Sequence, residues 1–376
     1  MKILQLSASY KPAYIYGGPT MSVSMLAEQL VIAGENVTVY TTTANGLTEL
    51  PVETATPILV DGVTVTYFKR ITKDHTHLSP SLLMHLWRTA RDYDAIHIHA
   101  WWNLVSVLGC LVALMRKVPV IISPRGTLSN YSFHNKNNNI KSIMHSWLGK
   151  PLLRKCYIHT TSNNEHDVMK AMLPDNTIFN IPNFIDLTKN KFSGYQPTGH
   201  LRIIFFSRIE EKKGLDILLD ALKSVTIPYK LTIAGDGNSE YVNQLKKLAL
   251  DNGVATQIDW IGFQTDNKYH LLYEHDVMIL PSYDENFGNV VIESLSVGTP
   301  VLISRAVGLA DYVSQNYLGW LCETNSASVS AAINNLVSQK TEINRIKEYA
   351  PGKISADFNY VNLAKKYIGM YTQVIK

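Results

Sequence analysis

Short apolar runs alternate with amphipathic helical patterns along almost the whole chain, and this alternation limits the folds that the chain can adopt. In the first half, strand-like runs recur at residues 3–7, 37–42, 63–68, 95–100, 118–123 and 157–162. The pattern then restarts with runs at residues 201–207, 230–234, 258–262, 277–280 and 301–304. Strands that alternate with helices form parallel, doubly wound sheets. The sequence therefore predicts an α/β protein with two successive Rossmann-like halves.

A polar segment marks the division between the halves. The chain of 376 residues exceeds one ordinary domain. Residues 186–200 are polar and contain Gly194, Pro197 and Gly199, a composition typical of a linker. We therefore expect a first domain at residues 1–186, a linker at 187–200, a second domain at 201–356 and a C-terminal helix at 357–376.

The composition is that of a soluble globular protein, with 46% hydrophobic and 18% charged residues. A net charge of +4 does not indicate a nucleic-acid partner. The three cysteines are far apart and form no CxxC pair, which suits a reducing compartment. The longest mostly apolar stretch, residues 104–115, is shorter than the ~20 residues that span a bilayer. We expect a cytoplasmic protein that can contact the inner face of the cell membrane.

Two carboxylates, Glu285 and Glu293, follow the apolar run that ends at residue 280. Asn289 is a plausible helix N-cap, so Glu293 is expected in the first turns of a helix and Glu285 in the loop before it. Ligands of open α/β sheets bind at the carboxyl ends of the strands. The backbone N–H groups of residues 287–289 would add donors there. Alternatively, Glu293 only favours its helix N-terminus and Glu285 is a solvated loop residue.

Two cations, Arg208 and Lys213, follow the first strand of the second half. Arginine can bind phosphate oxygens bidentately and lysine acts as a point charge, so the pair suits a diphosphate. The other interpretation is a solvated run of charges, because acidic residues lie between the two cations. Further on, Gly235 and the Gly262-Phe263 pair each end a strand, and alone these are weak signals of close backbone approach or of a base pocket.

The order of the motifs RIEEKKG, AGDGN, WIGF, ENFGNVVIE and VGLADYV is far more specific than any one of them. This half resembles the donor domain of the retaining, sugar-nucleotide-dependent glycosyltransferases of family 4. The resemblance extends over essentially the whole chain and includes an N-terminal Gly-Gly loop and the NFID segment. It implies the GT-B fold, in which two Rossmann-like domains face each other across a cleft and the C-terminal helix returns to the first domain.

The resemblance also implies roles for individual residues. Glu293 would bind the ribose hydroxyls, Glu285 and the 287–289 backbone would hold the donor sugar, and Arg208 and Lys213 would hold the diphosphate. The implied donor-binding residues are Gly17, Gly18, Gly235, Gly262, Phe263, Phe287, Gly288, Asn289, Val290 and Glu293. The implied catalytic residues are His99, Arg208, Lys213 and Glu285. No protein nucleophile is assigned.

His97 and His99 alternate on a strand and should point to one face. His99 matches the family's histidine near the transferred sugar, whereas His97 is expected to be structural. Where the family often has His-Gly after the next strand, this chain has Arg125-Gly126, and Arg125 would suit an anionic acceptor or phosphate. The Asp92-Tyr93-Asp94 sequence resembles a DxD metal motif but precedes a strand, so neither a metal nor any other cofactor is expected.

The resemblance implies transfer of a sugar, with retention, from a nucleoside-diphosphate sugar to a saccharide acceptor in cell-surface polysaccharide synthesis. A basic amphipathic pattern at residues 136–155 suggests a lipid-linked acceptor at the membrane face. A core-facing helix with one solvated basic side is the slightly favoured interpretation of the same pattern. Two rival functions are a GT-B sugar-nucleotide epimerase and a catalytically silent nucleotide-sugar-binding protein.

Overall fold

The structure is a computed structural model that describes residues 1–129, 131, 148–187, 192, 194–195, 198–264 and 267–376. The chain divides into two compact domains. The first contains Met1–Ile185 and Tyr360–Lys376, and the second contains Asp186–Asn359. Most of the predicted basic helix, residues 136–147, lies outside the described residues.

The first domain is built on one eight-stranded sheet with the order β10-β9-β8-β7-β1-β2-β6-β5. All neighbouring pairs are parallel except β5 with β6, which is antiparallel. A separate two-stranded hairpin, β3 with β4, lies beyond the end of β2. The strands are β1 (Lys2–Leu6), β2 (Asn36–Thr42), β3 (Ala44–Asn45), β4 (Thr48–Glu49), β5 (Pro57–Val60), β6 (Val63–Phe68), β7 (Ala95–His99), β8 (Val120–Ser123), β9 (Tyr157–Thr160) and β10 (Ile178–Asn180).

Helices connect most of the parallel strands of this sheet. They are α1 (Gly18–Ile32), α2 (Pro80–Thr89), α3 (Leu104–Met115), α4 (Lys150–Leu153) and α5 (Asn163–Met172). The side chains of Ser79, Asn103 and Ser162 accept hydrogen bonds from the first turns of α2, α3 and α5. Such caps satisfy N–H groups that have no partner inside a helix, which is why these helices begin where they do.

The second domain has a six-stranded, wholly parallel sheet with the order β13-β12-β11-β14-β15-β16. Its strands are β11 (Leu201–Phe206), β12 (Tyr229–Ala234), β13 (Ile258–Gly262), β14 (Val277–Leu280), β15 (Val301–Ser304) and β16 (Gly319–Cys322). Its helices are α6 (Leu215–Leu222), α7 (Ser239–Asp251), α8 (Lys268–Tyr273), α9 (Asn289–Ser296), α10 (Ala310–Gln315), α11 (Ser326–Asn335) and α12 (Lys340–Asp357). The predicted apolar face of α6 is confirmed, because its four leucines are buried.

Both sheets reverse their strand order at one point, between β1 and β7 in the first domain and between β11 and β14 in the second. At such a switch point the loops leave the sheet in opposite directions, and a crevice opens beyond the carboxyl ends of the two strands. The second sheet has the order of a classical dinucleotide-binding sheet, 3-2-1-4-5-6 along the chain. Ligands are therefore expected at the loops that follow β1 and β7 in the first domain and at the loops that follow β11 and β14 in the second.

The C-terminal helix α13 (Tyr360–Ile375) belongs to the first domain. Three tyrosines on it donate hydrogen bonds into that domain. Tyr360 donates to the carbonyl oxygen of Ile185 at 2.9 Å and Tyr367 to that of Pro182 at 3.1 Å, while Tyr371 contacts His97 at 2.7 Å. The chain thus leaves the first domain near residue 185 and returns to the same place.

Every predicted strand-like run contains an observed strand. The prediction omitted β5, β10, β16 and the β3–β4 hairpin. β16 has the sequence GWLC, which begins with a glycine, and β10 has the three-residue sequence IFN. These strands form because a neighbouring strand supplies their hydrogen-bond partners. Such pairing depends on tertiary context more than on residue preference.

Candidate functional site

Arg208 and Lys213 lie on the loop between β11 and α6, at the switch point of the second sheet. The side chain of Lys213 is 10% exposed, and its ammonium group contacts the Oε2 atom of Glu285. Arg208 is 38% exposed and pairs through Nη1 with Oε1 of Glu210 at 2.6 Å. The two residues implied to hold a diphosphate therefore differ in setting. Lys213 is buried beside a carboxylate, and Arg208 is partly solvated.

Glu285 lies on the loop after β14 and reaches Lys213 because β11 and β14 are neighbours in the sheet. Burial raises the pKa of its carboxyl group, but the positive charges of Lys213, Lys212 and Arg208 outweigh this effect and hold the pKa below its ordinary value. Glu285 is therefore ionised at neutral pH. The switch point contains a carboxylate among cations, a mixture that can hold both hydroxyl groups and phosphate oxygens.

Glycines lie on the loops on both sides of Arg208, Lys213 and Glu285, and they let neighbouring backbone segments approach closely. A Cβ atom at Gly235, which follows β12, would lie 1.9 Å from the carbonyl oxygen of Ser207. Gly288 has a φ of 90° and is the N-cap of α9. The prediction that Asn289 is the N-cap is wrong. A glycine fills that position because the backbone there is left-handed, which glycine adopts without steric cost.

Glu293 lies on α9 and pairs with Lys268 at 2.9 Å. The ammonium group of Lys268 also lies 4.7 Å from the ring centre of Tyr269. Sequence reasoning missed Lys268. The signal that could have found it is its place at the start of α8, shortly after β13 ends, because this position belongs to the same carboxyl edge as Arg208 and Glu285.

The remaining predicted donor-binding residues of this domain differ in exposure. Phe263 follows β13 and is 63% exposed, so its ring is open to a ligand. Phe287 is 3% exposed and its ring lies 6.4 Å from that of Phe358, so only its backbone can face a ligand. Gly262 is exposed and Val290, in the first turn of α9, is half-buried.

In the first domain, Gly17 and Gly18 follow β1 at the switch point. Gly17 has a φ of 64° and is the N-cap of α1, which begins at Gly18. Their backbone therefore lies at a helix N-terminus beside the carboxyl end of β7, whose last residue is His99. A helix N-terminus favours anionic groups.

His99 is 1% exposed and both of its ring nitrogens have partners. The Nε atom of Arg125 donates to its Nδ1 at 3.2 Å, and Nε2 lies 3.2 Å from Oε1 of Gln5. Since Arg125 can only donate, the proton of the neutral ring lies on Nε2. Burial and the charges of His97 and Arg125 hold the pKa of His99 well below its ordinary value. His99 is therefore a neutral residue that Arg125 and Gln5 orient.

Arg125 contacts several elements of the first domain. Its Nη1 atom donates to Oγ of Ser22 and to Oδ1 of Asn183, at 2.9 Å each. Its Nη2 atom is buried and has no hydrogen-bond partner among the described residues. Its backbone has a φ of 53°. The Nη2 group of Arg125, with its two N–H donors, is thus unused next to His99. The Arg125 partners Ser22 and Asn183 and the His99 partner Gln5 were not identified from the sequence.

His97 belongs to a chain of buried hydrogen bonds whose direction can be derived. Nε2 of His159 must donate, because its partner is the carbonyl oxygen of Ile181 at 2.9 Å. Nδ1 of His159 then accepts from Ser123, Ser123 accepts from Nε2 of His97 at 2.6 Å, and Nδ1 of His97 accepts from Tyr371 at 2.7 Å. Both nitrogens of His97 are engaged inside the domain, as expected for a structural residue.

The Asp92-Tyr93-Asp94 sequence precedes β7 and lies at the opposite edge of the sheet from His99. Asp94 accepts a hydrogen bond from the backbone N–H of Lys2 at 2.7 Å. Within the described parts of the chain, no group of three or more His, Cys, Asp or Glu side chains is placed to hold a metal ion. The described helices include none that is long and apolar enough to cross a membrane.

Two parallel α/β domains, each with a switch point in its sheet, are the fold class of the GT-B glycosyltransferases. The same arrangement occurs in the Anabaena protein HepE in complex with UDP and glucose, with a TM-score of 0.76 and 21% identity over 99% of this chain and 100% of that chain. Residues 187–353 match the family described as Glycosyl transferases group 1, and residues 16–189 match Glycosyltransferase Family 4. The chain belongs to the glycosyltransferases that these two family models describe.

Relatives that match three quarters or more of the chain agree with this assignment. An uncharacterised glycosyltransferase of Methanocaldococcus jannaschii is 24% identical over 99% of this chain and 98% of its own length. A glycogen synthase of Mycobacterium tuberculosis is 24% identical over 99% of this chain and 94% of its own. A galactosyltransferase of Escherichia coli, which transfers galactose from UDP-Gal to α-D-GlcNAc-diphosphoundecaprenol, is 24% identical over 75% of this chain and 76% of its own.

Proposed function

We propose that this glycosyltransferase moves a sugar, with retention of configuration, from a nucleoside-diphosphate sugar to a hydroxyl group of a lipid-linked saccharide. The product would belong to a cell-surface polysaccharide. The observation that carries the donor part of the proposal is the meeting of Arg208, Lys213 and Glu285 at the switch point of the second sheet. The family and the relatives support glycosyl transfer itself.

The arrangement of charges suits the departure of a nucleoside diphosphate. As the glycosidic bond breaks, negative charge builds on the diphosphate and positive charge on the anomeric carbon. Arg208 and Lys213 are preorganised donors for the phosphate oxygens, where such stabilisation contributes most. Glu285 would accept hydrogen bonds from the sugar hydroxyls, and Glu293 from the ribose. The leaving phosphate oxygen would accept the proton of the attacking hydroxyl, so no protein nucleophile is needed.

We assign the charge neutralisation to these side chains rather than to a metal, so transfer is expected without an added divalent ion. The assay is transfer in the presence of EDTA compared with Mg²⁺ or Mn²⁺. Rates that agree within about twofold support the assignment. A rate that EDTA abolishes and Mn²⁺ restores would contradict it.

The acceptor proposal rests on the relatives and on the first domain. The Escherichia coli relative acts on a lipid-linked saccharide, and relatives named for amylovoran and lipopolysaccharide core synthesis match part of this chain. The Nη2 group of Arg125 has no hydrogen-bond partner among the described residues near His99, and its two N–H donors suit an anionic acceptor group such as a diphosphate. A peripheral position at the inner face of the membrane would bring the enzyme to such an acceptor.

The donor proposal is tested by thermal unfolding of the protein with UDP, GDP, ADP, dTDP and CMP and with their sugar conjugates. A ligand at a hundred times its dissociation constant adds ~2.7 kcal/mol to the free energy of unfolding. One nucleotide should raise the melting temperature selectively, and Glu293→Ala and Arg208→Ala should each remove this shift. If no nucleotide stabilises the folded protein, the protein is neither a transferase that uses a nucleotide sugar nor a silent nucleotide-sugar-binding protein.

The rival functions differ from glycosyl transfer because they need no acceptor. A sugar-nucleotide epimerase would convert its donor without any acceptor, and nuclear magnetic resonance of the sugar nucleotide would detect this conversion. A silent binding protein would bind the donor and leave it unchanged. Transfer to an α-GlcNAc-diphosphate lipid, but not to glycogen or to simple methyl glycosides, is the result expected for the proposed function.

A further inference from the structure

The loops beyond β1, β2 and β6 form one connected surface at the carboxyl edge of the first sheet. Arg70, just after β6, joins the loops through a side chain that is 0% exposed. Its Nε atom donates to Glu49 at 2.7 Å, and its Nη2 atom donates to the carbonyl oxygens of Gly46 and Thr48 at 2.7 and 2.9 Å. Its remaining donor, Nη1, lies 3.1 Å from Nδ1 of His77.

The Arg70 contact determines which nitrogen of His77 carries the proton. A guanidinium group can only donate, so Nδ1 of His77 is the acceptor and Nε2 carries the hydrogen of the neutral ring. Burial, with the charges of Arg70 and His75, lowers the pKa of His77 to about 4, although Asp74 and Glu49 oppose this change. The ring is therefore neutral at physiological pH and presents a fixed Nε2–H donor.

The surroundings hold His77 in an unusual backbone conformation. Its φ is 50°, a left-handed value that is uncommon for residues other than glycine, although histidine, asparagine and aspartate adopt it more often than most. The loop that carries it is closed by hydrogen bonds from Leu78 N–H to Thr72 Oγ1 at 2.8 Å and from Ser79 Oγ to the Lys69 carbonyl oxygen at 2.7 Å. Backbone strain of this kind persists only where the structure imposes it, and it concentrates at functional sites.

The position of His77 connects it to the switch point of the first domain. The preceding residue, Thr76, accepts a hydrogen bond at 2.8 Å from the N–H of Leu104, which begins α3 just beyond His99 and its loop. The ring of His77 also packs edge-on against Tyr16, which precedes Gly17, with 6.1 Å between ring centres. His77 is thus supported by the loops that carry His99 and Gly17, the residues that the family resemblance assigns to the reaction.

Among the described residues, Nε2 of His77 has no hydrogen-bond partner, and the side chain is half-buried. We propose that His77 is a specificity-determining residue for the acceptor, and that its Nε2–H donates a hydrogen bond to a hydroxyl or ring oxygen of the acceptor saccharide. Arg70 is the positioning residue that fixes the tautomer and the ring. This inference rests on the proposed function, because it requires a saccharide acceptor at the first domain.

The test uses the full chain, the donor found by the nucleotide screen, and an α-N-acetylglucosaminyl diphosphate with a short alkyl chain as the acceptor probe. His77→Phe retains an aromatic ring but removes the donor, and it should raise the KM for the acceptor probe about tenfold. The KM for the donor and the rate of donor hydrolysis without acceptor should stay within twofold of wild type. A merely structural role would change all of these together.

Two further variants make the result specific. His77→Gln places an amide N–H near the Nε2 position and should restore most of the acceptor affinity. His75→Phe is the matched control, because His75 lies two residues away in the same loop and is exposed, and it should behave as wild type. Arg70→Met should raise the acceptor KM as His77→Phe does, because the ring loses the contact that orients it.

The outcomes separate this inference from the function on which it rests. If the wild-type protein binds a nucleotide sugar but transfers to neither the probe nor any other saccharide, the proposed function fails and the inference with it. If the wild type transfers to the probe and His77→Phe leaves the acceptor KM unchanged, only the inference fails. An equal loss of donor hydrolysis and transfer in His77→Phe would also overturn it.

Discussion

At the scale of single residues, the site of the second domain is a set of ion pairs rather than a row of free charges. Lys213 pairs with Glu285, Arg208 with Glu210, and Lys268 with Glu293. A donor bound at these residues, as proposed, would have to replace or share these partners. The pairs hold the side chains in place, and this would reduce the reorganisation needed during the proposed reaction.

Because Arg208 is partly solvated and Lys213 is buried, replacing each residue should have a different effect on the free energy of unfolding. Arg208→Ala should lower turnover by about 10²- to 10³-fold, yet change the free energy of unfolding by less than about 1 kcal/mol, because its ion pair is partly solvated. Lys213→Ala should lower turnover similarly but also destabilise the protein by about 2 kcal/mol, because it leaves Glu285 buried without its partner.

Steady-state kinetics and urea unfolding of the two variants measure these costs. Glu285→Gln combined with Lys213→Ala is the control, since it removes the unpaired charge and should recover stability but not activity. Equal destabilisation by Arg208→Ala and Lys213→Ala would show that the burial of Lys213 has no energetic consequence.

At the scale of elements, the C-terminal helix α13 is attached to the first domain through its tyrosines. Tyr371 donates to His97, and this bond begins the buried chain that ends at the carbonyl oxygen of Ile181. Tyr367 donates separately to Pro182. The helix therefore contacts the segment where the chain leaves the domain, and it contacts the strand that carries His99.

Tyr371→Phe should destabilise the first domain by about 1–3 kcal/mol, because it leaves Nδ1 of His97 as a buried acceptor without a donor. The effect is measured by urea unfolding, with Tyr349→Phe as the control, because Tyr349 is 45% exposed. A Tyr371→Phe variant as stable as the control would show that this buried hydrogen bond contributes nothing to the stability of the domain.

At the scale of the whole molecule, buried neutral histidines connect stability to pH. Burial and nearby positive charge hold the pKa values of His97 and His99 well below the ordinary range, and lower that of His159 to about 3. Below about pH 6.5, the unfolded chain binds protons that the folded chain does not. The stability that these residues contribute is therefore present above that pH and is lost as the pH falls.

The free energy of unfolding should therefore decrease as the pH is lowered from 7.5 to 5.5, by on the order of 1 kcal/mol per pH unit for each buried histidine. Urea unfolding across this range measures the slope. His159→Gln should reduce the slope, whereas His166→Gln should not, since the side chain of His166 is 36% exposed. A stability that is constant over this range would contradict the burial of neutral histidines.

Local sequence patterns were sufficient to predict much of this structure. Each predicted apolar run contains a strand, because burial on both faces of a parallel sheet requires continuous apolar residues. The leucine spacing of α6 determined its buried face. The motifs after β11 and β14 indicated where chemistry would lie, because polar residues directly after buried strands collect at one sheet edge. The short strands and the true N-cap of α9 were missed, because tertiary pairing and a left-handed glycine determine them.

The sequence by itself determined the fold class, the two Rossmann-like halves and the segments that carry the site, since periodicity and strand-ending motifs are local properties. Only the tertiary structure decided which residues are partners. Lys213 meets Glu285, and His99 lies between Arg125 and Gln5, because strand order brings distant segments together. The tautomers of His77 and His99 likewise depend on arginines that local spacing does not associate with them. Strand order is a non-local property, and it decides which charges and hydrogen bonds form the site.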